Sequence, residues 1–264
     1  MIRDITIGQY YHADSVIHKL DPRTKLVGTI AYIVALFCAK NIWGYVIAAA
    51  FLACIIFVSK VPFKFMIKGM KSIMFLLLLT VFFNMIFTPG EVIWSFWKIK
   101  ITEEGLVMAG KMAVRLTFLI LGSSIMTLTT TPNNLTDGLE KIMKPLKVIK
   151  VPAHEIAMMM SIALRFIPIL LEETDKIMKA QMARGADFET GNIFRRAKAL
   201  VPILVPLFIS AFRRANDLAM AMEARCYQGG EGRTKMKPLI YKKRDLVAYL
   251  CVVIFVVLVF VIGR

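Results

Sequence analysis

Two arginines stand in matching surroundings, Ala183-Arg184-Gly185 and Ala224-Arg225-Cys226, 41 positions apart, each closing a helix-like run. A guanidinium presents planar donors that suit carboxylates and backbone carbonyls, and small neighbours let a partner's surface close around it. A cation at a helix C-terminus also complements the macrodipole, worth about 0.3–1 kcal/mol, and Gly185 suits a helix end. The dipole accounts for either arginine alone. It does not account for the repeated triplet, because a lysine would serve it equally, so the duplication points to two similar receiving grooves.

Other constellations carry less. Gly105 to Lys111 matches the letters of a phosphate-binding loop, but Met112 replaces the hydroxyl that would meet magnesium, and the setting is an apolar helix. His12, His18 and His154 lack the spacing and acidic neighbours of a metal site. Cys38, Cys54, Cys226 and Cys251 show no paired spacing, which predicts neither a disulfide framework nor zinc. Lys111 and Arg115 fall inside an apolar run; Lys111 is near its outer end and can snorkel, whereas Arg115 is deeper, and an intramembrane cation is a candidate functional site by default.

The elements that must position these residues are membrane helices. The chain has 264 residues, 58% of them hydrophobic, and a mean hydropathy of +0.65, too apolar for an ordinary soluble domain. Apolar runs cover Leu26 to Ala39, Ile42 to Val58, Ile73 to Phe87, Leu106 to Leu128 and Leu246 to Gly263, most of them near the roughly 20 residues that a crossing needs. Asp21 and Pro22 read as N-cap and first turn of the first run, and Lys40-Asn41 leaves room only for a tight turn. Lys60, Lys64, Lys68 and Lys71, with no acid among them, place the stretch from Ser59 to Ser72 in the cytoplasm. Trp94 and Trp97 suit an interfacial belt outside. Alternation then gives five spans, N-terminus in and C-terminus out. The net charge of +16 serves topology and anionic lipid, not nucleic acid.

The stretch from 129 to 245 is read as cytoplasmic. Ile156 to Leu164 and Ala199 to Phe212 are too short between charges to be expected to cross, and Pro168, Pro202 and Pro206 are expected to kink their helices. Each continues into an amphipathic helix that ends in an Ala-Arg-small triplet. A shorter helix precedes them, with Asn133 or Asn134 as its cap and Pro145 as its break. Met158, Met159, Met160, Met178, Met182, Met220 and Met222 crowd the apolar faces, either as core filler or as a surface that repacks against differing partners. The expected fold is thus all-α and polytopic: residues 1–128 with four transmembrane helices, 129–245 as cytoplasmic coupling helices, and 246–264 as the last span.

With "LDPRTKL" at Leu20 to Leu26, two close-set early spans, the long cytoplasmic segment and both triplets, the chain resembles the transmembrane T component of energy-coupling factor transporters, ABC-type importers of vitamins and trace nutrients. The resemblance covers the whole chain. It implies a cell-membrane scaffold with no catalytic residues and no cofactor of its own. ATP would be bound by two partner ABC-type ATPase subunits, docked on Ala183-Arg184-Gly185 and Ala224-Arg225-Cys226, and cargo by a membrane-embedded S component. Cys226 departs from the family's usual glycine. Alternatives are a dedicated T component for one substrate such as cobalt, nickel or biotin, and a polytopic enzyme that binds a phosphorylated lipid through Arg184 and Arg225, with Glu172 to Asp175 as its acids.

Overall fold

The computed structural model describes residues 10–263 apart from 72, 91, 97–98, 187, 189–192, 231–235 and 237; Ser72 and Trp97 therefore lie outside the described residues. Helices α1 (Pro22–Cys38), α2 (Ile42–Ser59), α3 (Phe63–Lys71), α4 (Met74–Phe87), α5 (Glu103–Thr129), α6 (Pro132–Met143), α7 (Ala153–Ala183), α8 (Ile193–Glu223) and α9 (Lys243–Ile262) dominate it. The all-α class holds. One element escaped the sequence reading: β1 (Val92–Phe96) and β2 (Ile99–Thr102) form an antiparallel hairpin between α4 and α5. The stretch 59–72 holds α3. The chain divides into two compact units, the described parts of Gly8–Gly138 with Leu239–Arg264, and those of Leu139–Pro238.

The first unit is a bundle of α1, α2, α4, α5 and α9 whose directions follow from hydrogen bonds at the helix ends. Asp21 caps α1, accepting from the Arg23 amide at 2.9 Å, with Pro22 in the first turn. Burial pushes the Asp21 carboxyl up, but the side-chain and backbone hydrogen bonds from Arg23 outweigh it and hold the group below its ordinary value. At this same end the Lys25 ammonium donates to the Thr129 carbonyl at 2.8 Å, and the Tyr11 amide to Leu128 at 2.9 Å, so α5 ends where α1 begins. The amides of Lys40 and Asn41, in the tight turn before α2, donate to the Gly263 carbonyl at 2.8 and 3.1 Å, so α9 ends where α1 ends. Thr102 caps α5 and donates to the Thr88 carbonyl at 2.8 Å, which sets α4 antiparallel to α5. Helices α1, α4 and α9 therefore run one way, α2 and α5 the other.

Close packing fills the middle of this bundle. The rings of Phe51 and Phe255 stack at 4.2 Å, and Tyr32 stacks on Phe255 at 5.6 Å. A side chain at Gly122 would meet the Tyr32 ring at 2.4 Å, so this glycine is what lets α5 approach α1. Leu36, Ala48, Leu52, Leu121, Ile125 and Val259 complete the core. Many other apolar side chains of α2, α4 and α9 face outward, the pattern of helices whose solvent is lipid and whose cohesion comes from packing and polar links.

Among the described residues, five helices have the length and composition to cross a membrane: α2, α5, α7, the Lys198–Glu223 part of α8, and α9. The sequence reading also counted five, but a different five. It included α1 and α4, at 17 and 14 residues the shorter helices of the bundle, and placed α7 and α8 in the cytoplasmic stretch. Each apolar run and the charged run that follows it form one helix of 31 residues, as expected, continuous through Pro168 in α7 and through Pro202 and Pro206 in α8. The cap of α6 also differs from expectation. With Pro132 at its first position, the Asn134 amide reaches the Thr131 hydroxyl at 3.4 Å, and Thr131 occupies the place assigned to Asn133 or Asn134.

In the second unit α7 and α8 lie antiparallel. Gln181 near the end of α7 donates to the Pro202 carbonyl at 3.5 Å. Towards the middle Glu173 accepts from the Ser210 hydroxyl at 2.5 Å and from Arg214 at 2.8 Å. The unit has little core of its own, and the buried side chains of these two helices include Ala153, Ala157 and Ile203.

Candidate functional site: two arginine-bearing helix ends

Helix α7 ends in a Schellman turn. The Gly185 amide donates to Met182 at 2.9 Å and the Ala186 amide to Gln181 at 3.0 Å, with Gly185 left-handed at φ +85°. Helix α8 ends the same way: Cys226 donates to Glu223 at 2.8 Å and Tyr227 to Met222 at 3.1 Å, with Cys226 left-handed at φ +55°. Aligned on the caps, Ala183 matches Ala224, Arg184 matches Arg225 and Gly185 matches Cys226. The triplet is thus one backbone device built twice.

This geometry revises what the third position does. It needs a residue that tolerates positive φ, which glycine does without cost and an L-residue only at about 1–2 kcal/mol. Smallness was the property read from the sequence, and it hid the left-handed conformation of Cys226. The signal was available in the alignment of the two triplets, since a glycine in one copy marks the same conformation in the other.

Both arginines are exposed, and among the described residues neither guanidinium has a hydrogen-bond or ion-pair partner. They stand at opposite ends of the antiparallel pair. Arg184 closes the end of α7 near Pro202, whereas Gly230, shortly after Arg225, packs on His154 in the first turn of α7. The 31 residues of α7 make about 46 Å of helix at about 1.5 Å per residue. Two equivalent cationic tips thus stand tens of ångströms apart on one helix pair.

Arg115 is committed inside the bundle. Its Nε and Nη2 donate to the Tyr45 hydroxyl at 3.1 and 2.8 Å, and Nη2 also reaches the Ala39 carbonyl at 3.1 Å. It thereby ties α5 to the turn between α1 and α2. Lys111 is exposed. The Gly105 to Lys111 stretch lies within α5, where helical bonding occupies amides that a phosphate-binding loop would leave free. Glu173 braces α7 against α8, so the acidic cluster that a lipid-phosphate enzyme would need has one of its members already engaged. His154 pairs with Glu140 at 3.0 Å, and among the described residues no group of three His, Cys, Asp or Glu is placed to hold a metal. The backbone of Trp94 lies in β1.

Residues 13–236 match the family model described as "CbiQ: Cobalt transport protein". Three curated relatives carry the name "Energy-coupling factor transporter transmembrane protein EcfT". The one from Clostridium kluyveri is 57% identical across 97% of this chain and 96% of its own. That from Bacillus subtilis is 46% identical across 98% of each, and that from Lactococcus lactis 45% across 97% of each. The chain belongs to the CbiQ-type family of energy-coupling factor transporter transmembrane proteins.

Proposed function

We propose that this membrane component carries no catalysis of its own and transmits the motion of two ATPase subunits, which bind the ATP, to a separate membrane protein that holds the cargo. The observation that carries this reading is the duplicated cap. Arg184 and Arg225 project from identical turns at opposite ends of α7 and α8, so each arginine meets one ATPase subunit through an equivalent groove. Movement of those subunits then acts on both ends of one helix pair. The bundle of α1, α2, α4, α5 and α9 anchors the scaffold in the cell membrane, and the helix ends that bear Arg184 and Arg225 face the cytoplasm.

The outward faces of α7 and α8 favour a scaffold shared by several cargo-binding partners. Met159, Met160, Met182 and Met220 are exposed and Met158, Met178 and Met222 half-buried, which supports reading them as a surface. Flexible thioethers let one surface repack against differing partners. A component dedicated to one substrate is the second reading, favoured by the description of the matching family as a cobalt transport protein.

The decisive experiment is copurification of ATPase subunits with Arg184→Glu, Arg225→Glu and the double variant. Removing one partner of a buried charge-assisted contact costs about 2–5 kcal/mol, or roughly 30- to 5000-fold in affinity. The single variants are expected to assemble in part and transport poorly, and the double variant to lose both ATPases. A double variant that keeps both and imports normally refutes docking. Impermeant labelling of single cysteines at Lys64 and Ser95 tests sidedness, and equal labelling of both from one face overturns the assigned orientation.

A further inference from the structure

Helices α1, α2, α5 and α9 leave between them a cavity of about 790 Å³, within the range of about 300–1,000 Å³ typical of ligand pockets. Its walls are apolar, with Phe51 and Phe255 among them. It is not a sealed part of the core, because its α9 wall includes Val247, Ile254 and Leu258, which are 58%, 49% and 40% exposed. The cavity is therefore accessible from outside the bundle along α9.

One end is different. Lys25 lines the cavity beside the first turn of α1; its ammonium donates to the carbonyls of His18 at 3.3 Å and Thr129 at 2.8 Å, which leaves one of its three N–H donors for a ligand. Arg244, exposed in the first turn of α9, is a second cation at the same end, next to exposed Lys242 and Lys243. No carboxylate is among the lining residues; Asp21 and Asp245, whose charges act on Lys25, are buried behind it with their oxygens engaged by backbone amides and Arg23. An apolar slot open to lipid, closed at headgroup level by two cations, has the polarity of a single anionic amphiphile lying parallel to the helices.

We propose that this cavity takes an acyl chain of an anionic glycerophospholipid, with the phosphate held by Lys25 and Arg244 where α1 and α9 begin. The charge pattern selects the anionic class, since a zwitterionic headgroup would set its own ammonium against two fixed cations. The apolar walls and lateral opening select a lipid over a soluble phosphate. A bound lipid would wedge α9 against α1, α2 and α5 and add cohesion to the bundle.

The test is native mass spectrometry of the purified full chain equilibrated with phosphatidylglycerol or phosphatidylcholine of matched acyl chains. One retained phosphatidylglycerol per chain is expected, preferred over phosphatidylcholine by about fivefold for each cation engaged. Arg244→Gln should reduce that preference about fivefold. Ala248→Trp should fill the slot and evict the lipid while circular dichroism stays unchanged; if that variant does not fold, Cys54→Phe makes the same block from the α2 wall. Equal retention of the two lipids by the unmodified chain, or undiminished phosphatidylglycerol on a folded blocking variant, overturns the proposal.

Discussion

The carboxylate of Asp245 accepts the backbone N–H of Asp21 at 2.8 Å across 224 positions of sequence, in a site where Asp245 is only 2% exposed. The same side chain accepts from the Lys242 amide at 2.8 Å and stands 3.4 Å from the Thr24 hydroxyl. One residue thus caps α9 and fastens α1 to it. Replacing it with alanine removes a cap worth about 1 kcal/mol and strands a buried donor at about 1–3 kcal/mol. The thermal midpoint of the purified chain should register a loss of about 2–4 kcal/mol for Asp245→Ala, and a smaller loss for Asp245→Asn, which keeps an acceptor. Equal losses would mean that charge, not acceptance, is the decisive property.

The left-handed cap at Cys226 predicts a pair of opposite effects. Cys226→Gly relieves the steric cost of φ +55° and should stabilise the end of α8 by about 1 kcal/mol, whereas Gly185→Ala imposes that cost at φ +85° and should weaken the end of α7 by a similar amount. Hydrogen exchange of the Tyr227 and Ala186 amides, which close the two turns, reads each effect locally. Slower exchange at Tyr227 in Cys226→Gly, with ATPase copurification unimpaired, is the expected result.

His18 makes the turn before α1 sensitive to acid. Its Nε2–H donates to the Tyr11 carbonyl at 2.9 Å, which leaves Nδ1 to accept from the Ser15 hydroxyl at 2.7 Å. Burial lowers its pKa from the ordinary 6.5, against the Tyr11 hydrogen bond that raises it. The fold therefore favours neutral imidazole. Its contribution is complete above about pH 6.5 and declines as pH falls from there through the depressed folded-state value. The protection factors of the Lys19 and Leu20 amides, which allow for the slower intrinsic exchange in acid, should fall on acidification, and His18→Gln should flatten that response.

Arg115 separates two roles by measurement. Arg115→Met leaves the Tyr45 hydroxyl and the Ala39 carbonyl without their charged partner, at an expected cost of about 2 kcal/mol in thermal stability. Arg115→Lys, with one compact ammonium in place of a fork, should recover part of it. Import that falls in step with stability assigns Arg115 to holding the bundle. Import lost from a fully stable variant would assign it to the transport step.

What the sequence revealed was local. Asp21 and Pro22 announce α1, Lys40-Asn41 announces the turn, and the paired triplets announce equivalent helix ends, because each signal lies within a few residues. The capping hydroxyl of Thr131 was missed, since a first-position proline starts the helix two or three places upstream of the asparagines. The β1–β2 hairpin was missed because its nine or so residues lie among apolar and aromatic letters that also suit a membrane interface. The antiparallel seating of α7 and α8, which puts Arg184 and Arg225 at opposite ends, rests on Gln181–Pro202 and Glu173–Ser210–Arg214 contacts that have no sequence spacing to betray them. Helices α7 and α8 run on through Pro168, Pro202 and Pro206, as the continuing runs indicate.

Helix α9 touches α1 at both ends, through Asp245 to the Asp21 amide and through the Gly263 carbonyl to the amides of Lys40 and Asn41. During synthesis these partners leave the ribosome about 220 residues apart, so α1 enters the bilayer with amides that stay unmatched until almost all of the chain has followed. These amides sit at the two ends of α1, so they stabilise the bundle once α9 supplies their acceptors. The order of assembly is thereby tied to the order of the chain: α1 gains these partners only once α9 is in place, and a chain truncated before Lys243 is expected to lack the acceptors for all three amides.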